Sequence, residues 1–418
     1  MQHVYSIDNP YLYDIFANSK DPNSPYAILT HKKRPQNICV YGSSLHTYTF
    51  ISGLIKEGVE PERIFLVIPP RAYDIATKFN SNAERIAYED QLINNPEAFN
   101  DNSIRKAILD SLQRIGVNIS DHFQIDRFWP EDGAPEKMQF ITLKNPKNND
   151  EPGFECRILV TSTMLDVSDP IFNAIQDNGL VYNGRLIVKN NYQCTDKNIF
   201  ACGEICQFSQ IYKNYSLGKS LMMDRYSGRE LGQKLARSIL EYINILSPID
   251  PNDPSYEELP AFQMPVGQGG YLPNGYIYYQ VKAIGEGKPQ NLVAGMPNRE
   301  PIISNCLERS DHYIKFSFDN NGLINSVTYL GKEHISVPSL LSLIGLSETY
   351  LNRLEERSQA GSNLIHNLSE FLSENWAMAL YHEWFSEFRY NLKVKLTQDK
   401  DLRKIMEQVG DHATTGKY

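Results

Sequence analysis

The sequence predicts an α/β protein with a parallel sheet in its first half, followed by a small antiparallel β domain and carboxyl-terminal helices. Residues 37–68 read strand, glycine turn, helix, strand, over the roughly 30 residues that a βαβ unit needs. Residues 276–282 and 313–330 instead alternate apolar and polar side chains, and the Asp319–Gly322 turn makes the second segment a hairpin. Beyond residue 345, apolar side chains recur at helical spacing.

The composition is that of a globular protein that binds neither membranes nor nucleic acid. The chain has 418 residues, a net charge of −9 and no basic run longer than His31–Arg34, so a broad basic surface is not expected. No apolar run approaches the roughly 18 residues of a membrane helix, and residues 1–8 lack the regions of a signal peptide. The six cysteines do not have the spacing of zinc ligands, which indicates free thiols and a reducing, cytoplasmic location. We expect Cys202 and Cys206 to have a structural role.

Local signals place the individual elements. We expect a helix over Leu45–Lys56 that ends at Gly58, and a helix that begins at Asn102 or Ser103. The glycine-rich segment Gly267–Gly270 is expected to be a flexible loop. The other predicted elements are strands at 63–68, 155–161, 184–188 and 198–202, a hairpin over 123–143, and helices at 71–101, 170–177 and 216–246.

A candidate dinucleotide site lies at the first βαβ turn. The turn reads Gly42-x-Ser44-x-x-Thr47, where a dinucleotide fingerprint has three glycines. Gly42 can supply the tight turn, but Ser44 has a Cβ where a pyrophosphate must approach, and Thr47 adds bulk where helix and strand pack. Arg71 could pair with a 2′-phosphate. Two interpretations stay open: a turn that binds nothing, and weak binding of NAD(P) or an adenine nucleotide.

Residues 177–204 carry a more specific pattern. A Gly-Leu segment leads into the strand 184–188, Thr195 follows, and Asn198-Ile-Phe-Ala-Cys-Gly-Glu204 closes the run. This order resembles the two-dinucleotide-binding flavoproteins, the family that includes the disulfide reductases. In that family an Asp at the end of the run binds the flavin ribityl chain. The resemblance implies that Gly203 and Glu204 occupy the flavin position, with Glu204 in place of the Asp.

The same resemblance implies that flavin binding and catalysis are lost. The family's amino-terminal flavin half has its own three-glycine turn and its redox-active cysteine pair, and residues 1–34 contain neither. Glu204 is one methylene longer than Asp and would crowd a ribityl group. No His-Glu pair near the carboxyl end matches the family's acid and base. We therefore expect neither FAD nor a catalytic residue in this chain.

A core of this kind, followed by a hairpin domain and terminal helices, resembles the carboxyl-terminal region of the cilia- and flagella-associated protein 61 family. The segments Asn37–Thr49, Arg63–Pro70 and Asn198–Glu204 carry the resemblance. It implies a component of the ciliary axoneme, in the calmodulin- and spoke-associated complex at the base of a radial spoke. Residues 256–345 would then correspond to the family's dimerisation domain. The implied partners are other axonemal or radial spoke proteins, or an identical or homologous subunit.

The Pro-, Asp- and Ser-rich segment 247–255 is the strongest predicted domain boundary, and a chain that ended near Ser247 is expected to stay folded. The predicted units are an irregular lead-in (1–34), a nicotinamide-type Rossmann-like domain (35–150), a flavin-domain-like carboxyl half (151–246), the linker, an antiparallel β domain (256–345) and a helical tail (346–418).

The aromatic stripe formed by Trp376, Trp384 and Phe388 has two interpretations, a core element or a partner-binding surface. Two functions of different class follow from the sequence as a whole. The first is an interaction protein of the axoneme on a degenerate dinucleotide-binding fold. The second is an active oxidoreductase that depends on FAD or NAD(P). The absorbance of a bound cofactor after purification separates the two.

Overall fold

The fold is described from a computed structural model of the chain. The described residues are 4–7, 12, 16, 24–31, 36–70, 98–99, 101–145, 150–162, 167, 169–214, 221–248, 259–260, 264–283, 301–304, 312–319, 322–351, 354, 368–381, 384–385, 391 and 395.

A parallel sheet forms the centre of the first half. Its strand order is β1-β8-β2-β3-β4, and every neighbouring pair is parallel. The predicted α/β class is therefore confirmed. The strands are β1 (Val4–Ser6), β2 (Ile38–Gly42), β3 (Ile64–Ile68), β4 (Asn118–Asp121) and β8 (Ile158–Ser162).

The lead-in was expected to be irregular, and that expectation is wrong for part of it. It supplies the edge strand β1 and the helix α1 (Pro25–Leu29). The backbone N–H of Ile7 extends the pairing of β1 by donating to the carbonyl of Thr161 over 2.8 Å. Phe16 packs edge-to-face against Phe50 with 5.4 Å between ring centroids. Side chains of the lead-in therefore belong to the hydrophobic core of the parallel sheet and its helices.

Helices α2 (Leu45–Lys56) and α3 (Asn102–Arg114) cover one face of the parallel sheet. The prediction for α2 is confirmed at both ends. Its last turn closes on Gly58, whose φ is +91°, with the N–H of Gly58 donating to the Ile55 carbonyl and that of Val59 to the Leu54 carbonyl. The predicted start of α3 at Asn102 is confirmed, although the capping residue is the one before it. Asp101 is the cap, because its carboxylate accepts from the Ser103 amide over 2.9 Å.

A three-stranded antiparallel sheet covers the opposite face. Its strands are β5 (Gln124–Glu131), β6 (Ala134–Lys144) and β7 (Gly153–Glu155), and β5 with β6 forms the predicted hairpin. Met138, Ile141 and Leu143 pack against Cys39 and Leu159 of the parallel sheet. The parallel strands are therefore buried on both faces, as such strands require.

A smaller unit follows, built on helix α4 (Asp169–Asp177), the parallel strands β9 (Leu186–Val188) and β10 (Cys206–Phe208), and helix α5 (Gly228–Tyr242). The predicted strand over 198–202 is wrong. Asp196 turns the chain there, since its carboxylate accepts from the Asn198 amide and its carbonyl from the Ile199 amide. In the described part of the predicted helix 216–246, a short 3-10 turn at Met223–Arg225 precedes α5.

The last described unit is an antiparallel sheet of order β11-β12-β15-β14-β13. The predicted hairpin of β14 and β15 is confirmed. Gly267–Gly270 lies in β11 and is not a loop. The strands are β11 (Val266–Tyr271), β12 (Ile277–Lys282), β13 (Ile302–Ser304), β14 (Tyr313–Phe318) and β15 (Ile324–Gly331), and the helices are α6 (Val337–Leu343), α7 (Leu368–Phe371) and α8 (Asn375–Tyr381).

The antiparallel sheet has helices on one face and the α/β half on the other. Phe316 and Val327 pack with residues of α6 to α8. From the opposite face, Tyr278, Tyr313 and Leu330 belong to the same buried cluster as the side chains of α2 and α3. Burial of each such side chain contributes about 1.5–3 kcal/mol. A chain that ended near Ser247 would lose these contacts, which argues against the expectation that it stays folded.

Two glycines of β11 allow this close packing. A Cβ on Gly270 would lie 2.5 Å from Oγ1 of Thr49 in α2, and one on Gly267 would lie 3.3 Å from Val337 in α6. The strand is therefore held between a helix of the first half and a helix of the second. The glycine-rich composition that suggested a loop instead reflects close approach of helices to a strand.

Asp101 joins the two halves by charge as well as by packing. Its Oδ2 accepts hydrogen bonds from Tyr313 over 2.7 Å and from Lys315 over 2.9 Å, while Oδ1 caps α3. Burial alone would raise the pKa of Asp101, but these hydrogen bonds outweigh it and the pKa lies below its ordinary value. The carboxylate thus stabilises the fold only while it is ionised.

We expect Asp101→Asn to destabilise the chain by about 1.5–3 kcal/mol at neutral pH, because hydrogen bonds to a charged group are lost. The folded pKa lies below the unfolded one, so this stability is present above the ordinary carboxyl pKa and disappears as the pH falls through the lowered value. Urea unfolding of both proteins over a range of pH measures the difference. Asp132→Asn, in the exposed β5–β6 turn, is the control. A difference that stays constant down to the acid limit of folding would contradict this role.

Candidate functional site at the switch point of the parallel sheet

The candidate site lies where the order of the parallel strands reverses. β3 and β4 follow β2 on one side of it, whereas β8 lies on the other side. In open α/β sheets, ligands bind in the crevice at the carboxyl ends of the strands at such a switch point. The two strands that border the crevice end at Gly42 and Ser162, which are paired in the sheet.

Ser162 and Thr47 fill the space beside Gly42. A Cβ on Gly42 would lie 2.8 Å from the Cβ of Ser162, 2.9 Å from the Ser162 carbonyl and 2.8 Å from Oγ1 of Thr47. Gly42 also has a φ of +155°, which side chains rarely adopt. Gly42 is therefore required by the chain's own packing, whether or not a ligand approaches it.

Three hydroxyl groups meet in this crevice. Oγ of Ser44 lies 2.5 Å from Oγ of Ser162 and 3.3 Å from Oγ1 of Thr47, and it accepts from the Thr47 amide over 3.4 Å. Thr47 and Ser162 are buried. Ser44 is the N-cap of α2, so it occupies a backbone amide that an anion at this helix end would otherwise use. The predicted residues Gly42, Ser44 and Thr47 thus lie together.

Residues 98–99 lie against the same turn. The Ala98 amide donates to the Ser43 carbonyl over 2.9 Å. Phe99 packs against Tyr48 of α2 and against Tyr278 of β12, with 4.9 and 5.2 Å between ring centroids. These contacts tie the turn to the antiparallel sheet. Arg71, the predicted 2′-phosphate partner, lies outside the described residues.

Gly203 and Glu204 lie elsewhere, beside the β9–β10 sheet. Gly203 begins the turn into β10 with a φ of +106° and open space around its Cα, and its carbonyl accepts from the Cys206 amide over 2.9 Å. The Glu204 side chain is exposed, and its backbone carbonyl accepts a hydrogen bond from Arg185. Gly203 and Glu204, which are adjacent in sequence, therefore belong to the β9–β10 unit. The structure does not place them with Gly42, Ser44 and Thr47.

The cysteines of this region do not have the environment of reactive thiols. Burial raises the pKa of Cys202, and burial, with Cys194 and Cys202 nearby, raises that of Cys206 to about 12. A thiol must ionise to act as a nucleophile, so these shifts disfavour redox chemistry at neutral pH. Among the described residues, no group of three His, Cys, Asp or Glu side chains is arranged to hold a metal ion. None of the helices in those parts is long and apolar enough to cross a membrane.

The predicted aromatic stripe divides into a packed and an exposed part. Trp376 packs edge-to-face on Phe371 with 4.9 Å between ring centroids, and its Nε1 donates to Glu374 over 2.8 Å. Trp384 is 59% exposed. Phe388 lies outside the described residues. Met378 of α8 is 68% exposed, and Tyr350 is also exposed. Exposed apolar side chains therefore recur in this carboxyl-terminal part.

Comparison with known proteins shows which family this chain resembles. Residues 260–380, which include β11 to α7 and most of α8, match the model described as the CFAP61 dimerisation domain. The whole chain is 40% identical, over 478 aligned positions, to cilia- and flagella-associated protein 61 of Tetrahymena thermophila. The resemblance to the cilia- and flagella-associated protein 61 family is therefore confirmed over the whole chain. The chain spans 28% of the length of that relative.

Two solved structures match the chain at low sequence identity. Reduced CoADR-RHD of Bacillus anthracis is 11% identical, with a TM-score of 0.45, 91% of this chain and 57% of that chain covered. An FAD-dependent pyridine nucleotide-disulphide oxidoreductase of Desulfovibrio vulgaris is 11% identical, with a TM-score of 0.40, 82% of this chain and 70% of that chain covered. At such scores the fold class of this chain rests on its own strand order.

Two glycine substitutions separate packing at the switch point from backbone strain. We expect Gly203→Ala to cost about 1–2 kcal/mol, because only its positive φ opposes a side chain. Gly42→Ala combines a positive φ with a Cβ that has no space, so we expect a loss of about 2–4 kcal/mol. Chemical denaturation measures both. Gly232→Ala, in α5 with nothing near its Cα, is the control and should not destabilise. Equal losses for Gly42 and Gly203 would contradict the packing described above.

Proposed function

We propose that this chain is a structural, self-associating part of a protein of the ciliary or flagellar axoneme. Its place there would be the calmodulin- and spoke-associated complex at the base of a radial spoke. The observation that carries the proposal is the match of residues 260–380 to a dimerisation domain, within a chain that is 40% identical over its whole length to a ciliary relative. The partners would be a second copy and other axonemal subunits.

We further propose that the α/β half has lost catalysis. The residues at the switch point do not fit a bound pyrophosphate: Ser44 caps the helix end, and Thr47 and Ser162 pack against Gly42. A dinucleotide would have to displace the Ser44 hydroxyl, which already bonds to the hydroxyls of Thr47 and Ser162. On this proposal the chain holds no FAD. NAD(P) or an adenine nucleotide would bind at most weakly, with Arg71 as the remaining candidate contact.

The self-association surface is assigned to the exposed apolar side chains around α8. Met378 and Trp384 are the most exposed of them, and both lie in or just beyond the dimerisation-domain match. Large apolar and aromatic side chains contribute most to binding energy when a partner buries them. The opposite face of α8 packs into the protein through Ala377 and Leu380, which are buried. A second copy of this chain is the occupant proposed for this surface.

Light scattering of the purified chain over a concentration series tests the assignment. We expect Met378→Asp and Trp384→Ala each to weaken self-association at least tenfold, because each removes apolar area from the contact. Ile211→Asp is the matched control, since Ile211 is 62% exposed but lies in the β9–β10 unit. Self-association that survives both variants, or that is lost equally in the control, would contradict this surface. A chain that is monomeric at all concentrations would contradict self-association itself.

A further inference from the structure

Three basic residues, Arg185, Arg225 and Lys282, lie in the region where the β9–β10 unit adjoins the antiparallel sheet. Lys282 ends β12 and is paired in the sheet with Val266, the first residue of β11. Two residues before Val266, the Met264 amide donates to the carbonyl of Arg225 over 3.0 Å. This hydrogen bond brings the 3-10 turn at Met223–Arg225 to the same end of the sheet as Lys282.

One carboxylate serves two of these cations. Oδ2 of Asp224 lies 3.3 Å from Nη2 of Arg185, and its Oδ1 lies 3.5 Å from Nε of Arg225. Arg185 also donates its other terminal nitrogen to the Glu204 carbonyl. Arg185 and Asp224 are largely buried, with 12% and 20% of their side chains exposed, and 25% of Arg225 is exposed. The Nη atoms of Arg225 are therefore left for another acceptor.

Lys282 has no acidic partner in the described part of the chain, although it is half-buried. Burial lowers the pKa of Lys282, and the nearby charge of Arg225 lowers it further. An uncompensated cation beside another cation in a partly desolvated place is unfavourable. An anion between the Lys282 ammonium and the Arg225 guanidinium would remove both the repulsion and the unsatisfied donors.

We propose that Lys282 and Arg225 form a binding site for a phosphate group. A phosphate dianion carries enough charge and enough acceptor oxygens for a lysine ammonium and one edge of a guanidinium at once, whereas a carboxylate balances only one of the two. Asp224 forms an ion pair with Arg225 on its Nε side, 3.5 Å away, and its Oδ1 makes no hydrogen bond. The site is separate from the Gly42 turn, and the inference does not rest on the proposed self-association.

The test measures thermal stability and phosphate affinity of the full chain at constant ionic strength set with chloride. Inorganic phosphate should raise the melting temperature in a saturable way, while acetate should not. Lys282→Gln should bind phosphate at least tenfold more weakly. Without phosphate the same variant should be as stable as the parent chain or more so, because the repulsion is relieved. Lys282→Arg should keep most of the affinity.

Lys234→Gln is the control, since Lys234 lies on α5 and already pairs with Glu230. Pyrophosphate and 5′-AMP, measured in parallel, separate a free phosphate from one carried on a nucleotide. Tighter binding of 5′-AMP that still depends on Lys282 would identify a nucleotide as the source. The proposal is overturned if phosphate has no effect on the parent chain, or if it stabilises the parent and Lys282→Gln equally. Neither result would bear on the oligomeric state, which the α8 variants test separately.

Discussion

The close approach of β11 to helix α2 is the contact on which the rest of the arrangement depends. It exists because Gly270 has no side chain where Thr49 and Leu45 of α2 lie. Around it, Tyr278, Tyr313 and Leu330 of the antiparallel sheet enter the core of the α/β half. Two sheets of opposite type thereby share one hydrophobic cluster, and the Asp101 carboxylate adds hydrogen bonds at its edge.

The same helix sets the state of the candidate site. Its amino end is capped by Ser44 at the switch point, and its side chains Leu45 and Thr49 hold β11. A ligand that moved the end of α2 would therefore have to disturb the contact with the antiparallel sheet. On our account the helix end that binds phosphates in related folds has become a fixed support for a self-association domain. For the structural role proposed above, this fixed helix end supplies a physical reason.

The sequence predicted those parts that local chemistry determines. Helix α2 was predicted at both ends, because Ser44 caps one end and Gly58 closes the other within the same short segment. The β14–β15 hairpin was predicted because its turn residues are themselves diagnostic. The family was inferred from motifs that occur in a characteristic order along the sequence, and the match over the whole chain agrees with it.

Features that depend on distant parts of the chain were missed. Gly267–Gly270 was expected to be a loop, because nothing local shows that α2 and α6 lie against it. Ser162 was not predicted at the site, since only the pairing of β8 with β2 brings its hydroxyl to Ser44. Lys282 and Arg225 are likewise 57 positions apart in sequence (282 minus 225), and the Met264 hydrogen bond and the β11–β12 pairing bring them to the same end of the sheet. Periodicity contains no information on such contacts.

Cooperativity of unfolding tests the central claim, that the α/β half and the antiparallel sheet form one folded unit. The chain's three tryptophans allow this, since Trp129 lies in β5 and Trp376 in α8, while Trp384 can be replaced by Phe. Two variants, one retaining only Trp129 and one retaining only Trp376, would be unfolded in urea at one protein concentration and followed by fluorescence. Our account predicts coincident midpoints and slopes for the two probes. Two separated transitions would contradict it, because the halves would then unfold independently.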